Sequence, residues 1–447
     1  MNWKGKKVAV IGLARSGLAA VQKLHDIGAE PFVSEMRLRN EFKALPLYLN
    51  NIEFGGHSEE ILKNELIIVS PGVPLSIPIL QKARQKKIPI WSELEFGFQL
   101  IKNTFTTIIA ITGSNGKSTT TSLIHHILRR NGKKAILAGN IGLPLSSFPI
   151  EKEKYEYIVL EVSSFQLDAI DKFKPNIAVL LNITPDHLDR YDTFASYKKS
   201  KLQIGKNQTF SDIVVLNYDD DELRRTNNIG SAKKILYSVH EKANECVWFN
   251  NDKIFIQSDS LTSFLNSNQL QIQGLHNVSN AIASTLVCVL CKLHPYEICM
   301  ALQSFKGLEH RLEWVAEINN RIFINDSKAT NCVAVERALT SFDKPIQLIM
   351  GGYDKNEDFS SLILLIKRNV MNLIVFGETK DQIIHTFQGC VSSIEVKDLQ
   401  EAVQVAYKAS SPGEYILLSP GCASYDMYNN FEERGAHFKK LVRGIQE

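Results

Sequence analysis

The sequence predicts an α/β protein built around parallel sheets. Strand-like apolar runs alternate with helix-like amphipathic runs along the whole chain, the pattern of strands joined by crossover helices. Several of these runs end in glycine or small polar residues, as the ligand-bearing ends of such sheets do. One of them, Thr107-Ile-Ile-Ala-Ile111, leads into Thr112-Gly-Ser-Asn-Gly-Lys-Ser-Thr119 and then into an amphipathic stretch over 120–130. Strand, glycine loop and helix start are the setting of a phosphate-binding loop.

Composition narrows the class. The chain has 447 residues, enough for about three domains. Hydrophobic residues make up 44% and charged residues 22%, an ordinary globular balance. The formal net charge is +3 without long basic runs, which argues against nucleic acid as a partner. The start is polar to Lys7, and no run approaches the ~20 apolar residues of a membrane span. We therefore expect no membrane partner and a cytoplasmic location. The seven cysteines have no framework spacing and read as reduced thiols. Cys288-Val-Leu-Cys291 has the spacing of a redox or zinc pair, but its apolar surroundings also fit a buried helix.

The first unit, 1–95, opens with the strand Lys7–Ile11, a glycine turn and a helix over 18–27. A second strand, Pro31–Ser34, ends at Glu35, and the run Leu66-Ile-Ile-Val-Ser-Pro-Gly-Val-Pro74 ends a further strand in a loop near the same mouth. Gly12, Ala14 and Gly17 resemble a dinucleotide fingerprint that lacks its middle glycine. This is a Rossmann-like turn, open to NAD or to another phosphate, with Glu35 where a ribose-binding acid would stand. The second unit, 96–307, carries the phosphate loop. Only two residues separate Gly113 from Gly116, fewer than in the standard pattern, but Gly-Lys-Ser-Thr closes it. Lys117 supplies charge for outer phosphates and Ser118 a hydroxyl for magnesium. Tyr157–Glu161 is a buried strand ending in a carboxylate, open to a metal role or to chance. His187 lies in a loop after the apolar run that starts at Ile177, and is either structural or functional.

In the third unit, 308–447, the strands Arg321–Asn325, Ile346–Met350, Leu373–Phe376 and Tyr415–Ser419 each lead into small or polar residues. Four such ends suggest one composite site.

Several runs together resemble the Mur ligases, ATP-dependent amide-forming enzymes of cell-wall synthesis. They are Gly113–Thr119, Gly139-Asn-Ile-Gly-Leu-Pro144, Leu160-Glu-Val-Ser-Ser-Phe-Gln-Leu167 and Thr184-Pro-Asp-His-Leu-Asp-Arg-Tyr191. Asn325-Asp-Ser-Lys-Ala-Thr-Asn331 and Leu418-Ser-Pro-Gly-Cys-Ala-Ser-Tyr-Asp426 complete the set. The resemblance covers essentially the whole chain. It implies a Rossmann-like domain for a UDP-linked substrate, a central P-loop domain for ATP and a C-terminal Rossmann-like domain for an amino acid. The activity it implies is ATP-dependent addition of D-glutamate to UDP-N-acetylmuramoyl-L-alanine through an acyl phosphate, in a monomer. A sister ligase of the same fold, such as a folylpolyglutamate synthase, is the alternative. An NAD-dependent dehydrogenase would leave the phosphate loop unexplained, and the guanine motif of a GTPase switch is absent from the sequence.

The resemblance also implies roles for residues. Gly113, Ser114, Asn115, Gly116, Lys117, Ser118 and Thr119 hold the ATP phosphates. Asn277, Asn280, Arg311, Asp326 and Lys328 surround the rest of the nucleotide. Ser118 and Glu161 take one of two magnesium ions, and His187 and Lys201 belong to the second. Leu13, Arg15, Ser16, Glu35, Met36, Arg37, Gly72, Asn140 and Ser163 contact the UDP-linked substrate. Thr330, Lys355, Ser424, Tyr425 and Phe431 frame D-glutamate. Lys117, Asn140, His187 and Lys201 form the catalytic set, with Lys201 at a position that carries a carbamate. By residue pattern alone Lys201 is one of several helix lysines with Lys198, Lys199 and Lys206. The pattern departs from the family at Glu35-Met36, where a shorter acid and a threonine are expected, and at Tyr425, where an aliphatic residue is expected.

Overall fold

The structure, a computed structural model, describes residues 2–42, 45–46, 49–102, 104–148, 154–186, 190–226, 229–258, 261–272, 274–342, 344–354 and 357–445. The chain forms two compact units, one of Met1–Leu270 and Leu275–Phe305, the other of Gln271–Gly274 and Lys306–Glu447.

The first unit opens with β1 (Lys7–Ile11), α1 (Arg15–Asp26), β2 (Glu30–Glu35), β3 (Ile52–Phe54), β4 (Leu66–Val69), α2 (Pro78–Gln85) and β5 (Ile90–Ser92). These strands make a parallel sheet in the order β3-β2-β1-β4-β5. Both faces are covered: Val8 and Val10 enter one core, Ala9 and Ile11 another. That explains why the strands read as continuous apolar runs rather than alternating ones.

Helix α3 (Glu93–Ile101) leads to β6 (Thr107–Thr112), α4 (Lys117–Arg130), β7 (Ala135–Gly139), β8 (Tyr157–Glu161), α5 (Ser164–Leu167), β9 (Ile177–Leu180), α6 (Phe194–Leu202), β10 (Ile213–Asn217), α7 (Asp221–Arg224) and β11 (Lys233–Tyr237). The second sheet is parallel, β11-β10-β9-β6-β8-β7. Buried carboxylates on α3 hold the two sheets together. Glu95 Oε2 accepts the backbone N–H groups of Asp171, Lys172 and Phe173 at 2.9, 3.1 and 2.8 Å. Glu93 Oε1 accepts the Ser146 N–H at 2.6 Å. Three N–H donors on one oxygen satisfy an anion that burial would otherwise penalise.

The unit then departs from the expected parallel pattern. Strands β12 (Val247–Asn250), β13 (Lys253–Ser258) and β14 (Leu261–Asn266) form an antiparallel sheet before α8 (Leu275–Leu290) and α9 (Pro295–Ser304). Its hairpin signal was easy to miss: the outer face carries Lys253, Asn250 and Asn266 beside the Trp248–Phe255 stack. Cys288 lies wholly buried on α8, as the helix reading expects.

The second unit contains β15 (Glu313–Ile318), β16 (Arg321–Asn325), α10 (Cys332–Thr340), β17 (Ile346–Gly351), α11 (Ile363–Asn369), β18 (Val370–Phe376), α12 (Lys380–Thr386), β19 (Ser392–Glu395), α13 (Leu399–Ala409), β20 (Tyr415–Leu418) and α14 (Phe431–Arg443). Its order is β15-β16-β20-β17-β18-β19, parallel apart from β15. The four strands singled out from the sequence are therefore direct neighbours, and their carboxyl ends share one edge.

Candidate active site

In the first unit the loop after β6 lies at the sheet's centre, between the ends of β8 and β9. Helix α4 begins at Lys117, three residues earlier than the apolar pattern suggested, because Gly116 caps it in a left-handed conformation (φ 82°). A Cβ at Gly116 would collide with Asn280 Oδ1, so glycine is required twice over. Asn280 also accepts from the Thr120 hydroxyl at 3.3 Å and donates to Asn277 Oδ1 at 3.2 Å. Asn277 and Asn280 on α8 are thus fixed beside the loop. Asn182 clamps it from below, accepting the Asn115 N–H at 2.7 Å and donating to Asn115 O at 3.1 Å. The Ser114 hydroxyl donates to Thr184 O at 2.9 Å. Ser118 and Thr119 are buried on the first helical turn.

Lys117 folds back over this loop, its Nζ donating to Gly113 O and Ser114 O at 2.9 Å each. Lys201 differs from its neighbours: Lys199 and Lys206 are exposed, and Lys198 is half-buried and pairs with Glu222 at 2.6 Å. Lys201 is 2% exposed, donates to the same Gly113 O at 2.8 Å and lies 4.6 Å from the Tyr197 ring. Burial, with Lys117 adding repulsion, pushes its pKa down to about 7. Two lysines thus converge on one carbonyl.

Glu161 ends β8 one strand away and is 1% exposed. Its Oε1 accepts from Asn140 Nδ2 at 2.7 Å, and its Oε2 has no hydrogen-bond partner among the described residues. Asn140 follows Gly139 (φ 97°), where a Cβ would run into Glu161 O. Ser163 caps α5, its hydroxyl accepting the Gln166 N–H at 3.4 Å. His187 lies outside the described residues, as does Lys355.

At the first sheet's carboxyl edge, the Glu35 carboxylate is not held open. Oε2 accepts the Leu13 N–H at 2.6 Å, and Oε1 accepts the Arg37 N–H at 3.0 Å and Arg37 Nε at 3.1 Å. Burial raises its pKa, but these bonds outweigh it and leave it lowered. Met36 is exposed, as are Arg37 and Gly72; Ser16 is half-buried on α1. Arg15 reaches Gly139 O at 3.4 Å.

In the second unit Asp326 follows β16 and is buried. It accepts from Leu312 N at 3.2 Å and the Ser419 hydroxyl at 2.9 Å. Burial pushes its pKa up to about 7, with the nearby Arg311 opposing. Between about pH 4 and 7 the folded chain therefore keeps a proton that the unfolded chain loses, and stability falls as pH rises through that window. Asp326→Asn, with Ser419 Oγ able to accept, removes this penalty. Its melting temperature should match the parent near pH 4 and exceed it by a few degrees above pH 7, a gain on the order of 2 kcal/mol. Parallel thermal melts across pH check this.

Thr330 and Lys328 are half-buried in the loop after β16, and Lys328 Nζ lies 5.7 Å from the Phe431 ring. Ser424 is buried in the loop after β20, while Tyr425 is exposed and packs edge-on to Tyr353 at 6.1 Å. One residue that sequence reading missed organises these loops. Arg434 on α14 is wholly buried; its guanidinium donates to Ser327 Oγ and O at 3.0 and 2.9 Å, Cys422 O at 3.0 Å and Ala423 O at 3.1 Å. In Asn430-Phe-Glu-Glu-Arg434 it reads as one more surface charge, and only the fold turns it inward.

Comparison with known proteins matches the residues around these sites. Residues 6–92 fit the profile of the Mur ligase MurD-like N-terminal domain, 111–288 that of the Mur ligase middle domain, and 310–422 that of the Mur ligase glutamate ligase domain. The chain belongs to the Mur ligase family. Among curated family members, the UDP-N-acetylmuramoylalanine–D-glutamate ligase of Clostridioides difficile (strain 630) is 38% identical over 453 residues, covering 100% of both chains. The one of Alkaliphilus metalliredigens is 40% identical over 458 residues, again over 100% of both. Solved Mur ligases share the fold at low identity. The MurC ligase of Thermotoga maritima has a TM-score of 0.59 at 20% identity, covering 98% of this chain and 99% of its own. The MurF ligase of the same organism, in complex with ADP, has a TM-score of 0.58 at 16% identity, covering 99% and 96%.

Proposed function

We propose that this Mur ligase joins D-glutamate to UDP-N-acetylmuramoyl-L-alanine at the expense of ATP, in peptidoglycan synthesis. The observation that carries the reading is likeness over the entire chain, at 38–40% identity, to ligases named for that reaction. The site chemistry agrees. A carboxylate oxygen of the substrate attacks the γ-phosphorus and ADP leaves; the glutamate amine, having given one proton to solvent, then attacks the acyl carbon, a second proton leaves the nitrogen and phosphate departs. Bringing anions together requires fixed positive charge. Lys117 supplies it at the phosphate loop, and Lys328 and Arg311 supply it in the second unit. The loop's N–H groups and the start of α4 cradle the phosphates.

A divalent cation fits the first unit. A buried carboxylate oxygen without a partner, Glu161 Oε2, lies beside the phosphate loop that carries the Ser118 hydroxyl. Magnesium, when bound, offsets the charge that builds up on the transferring phosphate. We expect two ions, with His187 and a carbamate on Lys201 serving the second. Thr330, Lys355, Ser424, Tyr425 and Phe431 are our candidates for the amino-acid pocket, and Asn140 and Ser163 for the muramoyl group. The reaction places the protein in the cytoplasm with ATP and requires neither nucleic acid nor membrane; no helix among the described residues is long and apolar enough to cross one. We expect a monomer.

ADP release that depends on both UDP-N-acetylmuramoyl-L-alanine and D-glutamate tests the reading. L-glutamate should be used at least roughly a hundredfold less well, because a polar frame built for one enantiomer leaves buried groups unpaired with the other. Equal use of both, or preference for a diamino acid, refutes the amino-acid assignment.

A further inference from the structure

A hydrogen-bond chain outside the reacting centre fixes one histidine's proton. Ser34, at the end of β2, is wholly buried, with Oγ 2.6 Å from Glu53 Oε1 and 2.7 Å from His57 Nδ1. Its contact with Gly56 O is longer, at 3.2 Å. Glu53 Oε1 also accepts the Ser58 N–H at 2.9 Å. Burial pushes Glu53 upward, but the bonds from Ser34 and Ser58 outweigh it and hold the carboxyl below its ordinary pKa. Glu53 is therefore an anion at neutral pH and can only accept. A serine hydroxyl has a single hydrogen. Ser34 gives it to Glu53 and so must accept from His57 Nδ1–H. Burial also keeps His57 neutral at pH 7, against the pull of Glu53 and Glu35. A neutral imidazole protonated on Nδ1 presents Nε2 as a fixed acceptor.

The acceptor's position matters. In a sheet of this kind the phosphates sit on the turn after the first strand and the ribose near the end of the second. The order β3-β2-β1 continues outward, so a nucleotide laid along this edge would put its base beyond the ribose, at the β2–β3 ends. His57 follows β3, whose next residue, Gly55, donates its N–H to Glu35 O at 2.9 Å. Gly56 faces open space, since a Cβ there would meet nothing within 4 Å. Glu35, the acid expected to serve the nucleoside, already accepts from Leu13 and Arg37.

We propose that His57 Nε2 accepts the N3–H of uracil, with Ser34 and Glu53 setting its tautomer, so that His57 is a specificity-determining residue for the base of the UDP-linked substrate. Uracil carries a hydrogen at N3; cytosine carries a lone pair there, which would oppose Nε2. The proposal rests on the UDP reading given above.

Calorimetric titration of the full chain with UDP, CDP and N3-methyl-UDP tests it. The parent should bind UDP roughly tenfold more tightly than either analogue, the scale of one hydrogen bond with its partner left unsatisfied. His57→Leu should weaken UDP to the level of N3-methyl-UDP, and Ser34→Ala, which frees the imidazole, should reduce the preference without abolishing it. Undiminished discrimination in folded His57→Leu overturns the proposal. If that variant fails to fold, equal binding of UDP and N3-methyl-UDP by the parent overturns it. Failure of the UDP reading looks different: the parent would bind none of the three and would release no ADP with the UDP-linked substrate and D-glutamate.

Discussion

Lys201→Ala is expected to reduce ligation by roughly a hundredfold or more, while Lys201→Met should make the ligand-free protein more stable than its parent. The two effects share one cause. An ammonium group that is 2% exposed and lies near Lys117 is costly to keep charged. With its pKa pushed down from 10.5 to about 7, the folded chain binds fewer protons at Lys201 than the unfolded chain between those values. The destabilisation is fully present below about pH 7 and disappears as pH rises towards 10.5. The advantage of Lys201→Met should therefore be greatest at or below pH 7, on the order of 1–3 kcal/mol, and should shrink at pH 10. A chain that keeps such a lysine gains something else from it. The same depression leaves much of the amine neutral near pH 7, the form that can add carbon dioxide, and the carbamate would present two anionic oxygens beside the phosphate loop. Activity should fall reversibly in buffer stripped of carbon dioxide. Full activity of Lys201→Ala, or indifference to carbon dioxide, would exclude this role.

How much of this was legible in the sequence depends on the distance over which each feature is determined. The strands Tyr157–Glu161 and Arg321–Asn325 were read with their limits, and the phosphate loop was read in place although its helix starts three residues early, because their chemistry is local: apolar runs closed by glycine or polar residues. The adjacency of β16, β20, β17 and β18 was foreshadowed by their shared polar ends, but the order itself comes from packing. Lys201, Glu95 and Arg434 were illegible in their surroundings. Each sits among other charged residues in a helix, and no local rule says which one turns inward. Their partners come from far along the chain: Gly113 for Lys201, 171–173 for Glu95, Ser327 and 422–423 for Arg434. The antiparallel β12–β14 sheet was missed because an expected alternation of strand and helix leaves no place for a hairpin, and its turn and ends are polar, with Asn250, Asn251, Lys253 and Asn266.

Lys117→Ala should lower turnover by about a thousandfold, the upper range for removing one preorganised donor from a developing charge. The fold should survive with a modest loss. In the ligand-free chain Nζ donates to Gly113 O and Ser114 O, so the substitution removes two hydrogen bonds that close the loop. At about 1 kcal/mol each, and with the loop carbonyls able to turn to water, the melting temperature should drop by a few degrees at most. These bonds also predict how the residue works. Phosphates entering the loop must draw Nζ away from both carbonyls, so part of the binding energy is spent on that rearrangement, and Lys201 is left as the described donor on Gly113 O. Lys117→Arg keeps the charge but spreads it over a planar fork that cannot sit between two loop carbonyls. It should recover ATP binding more than turnover. Titration of ATP against steady-state ligation separates the two quantities. An arginine variant that restores turnover as fully as binding would show that bare charge suffices, and unimpaired ligation by the alanine variant would remove the phosphate loop from the mechanism altogether.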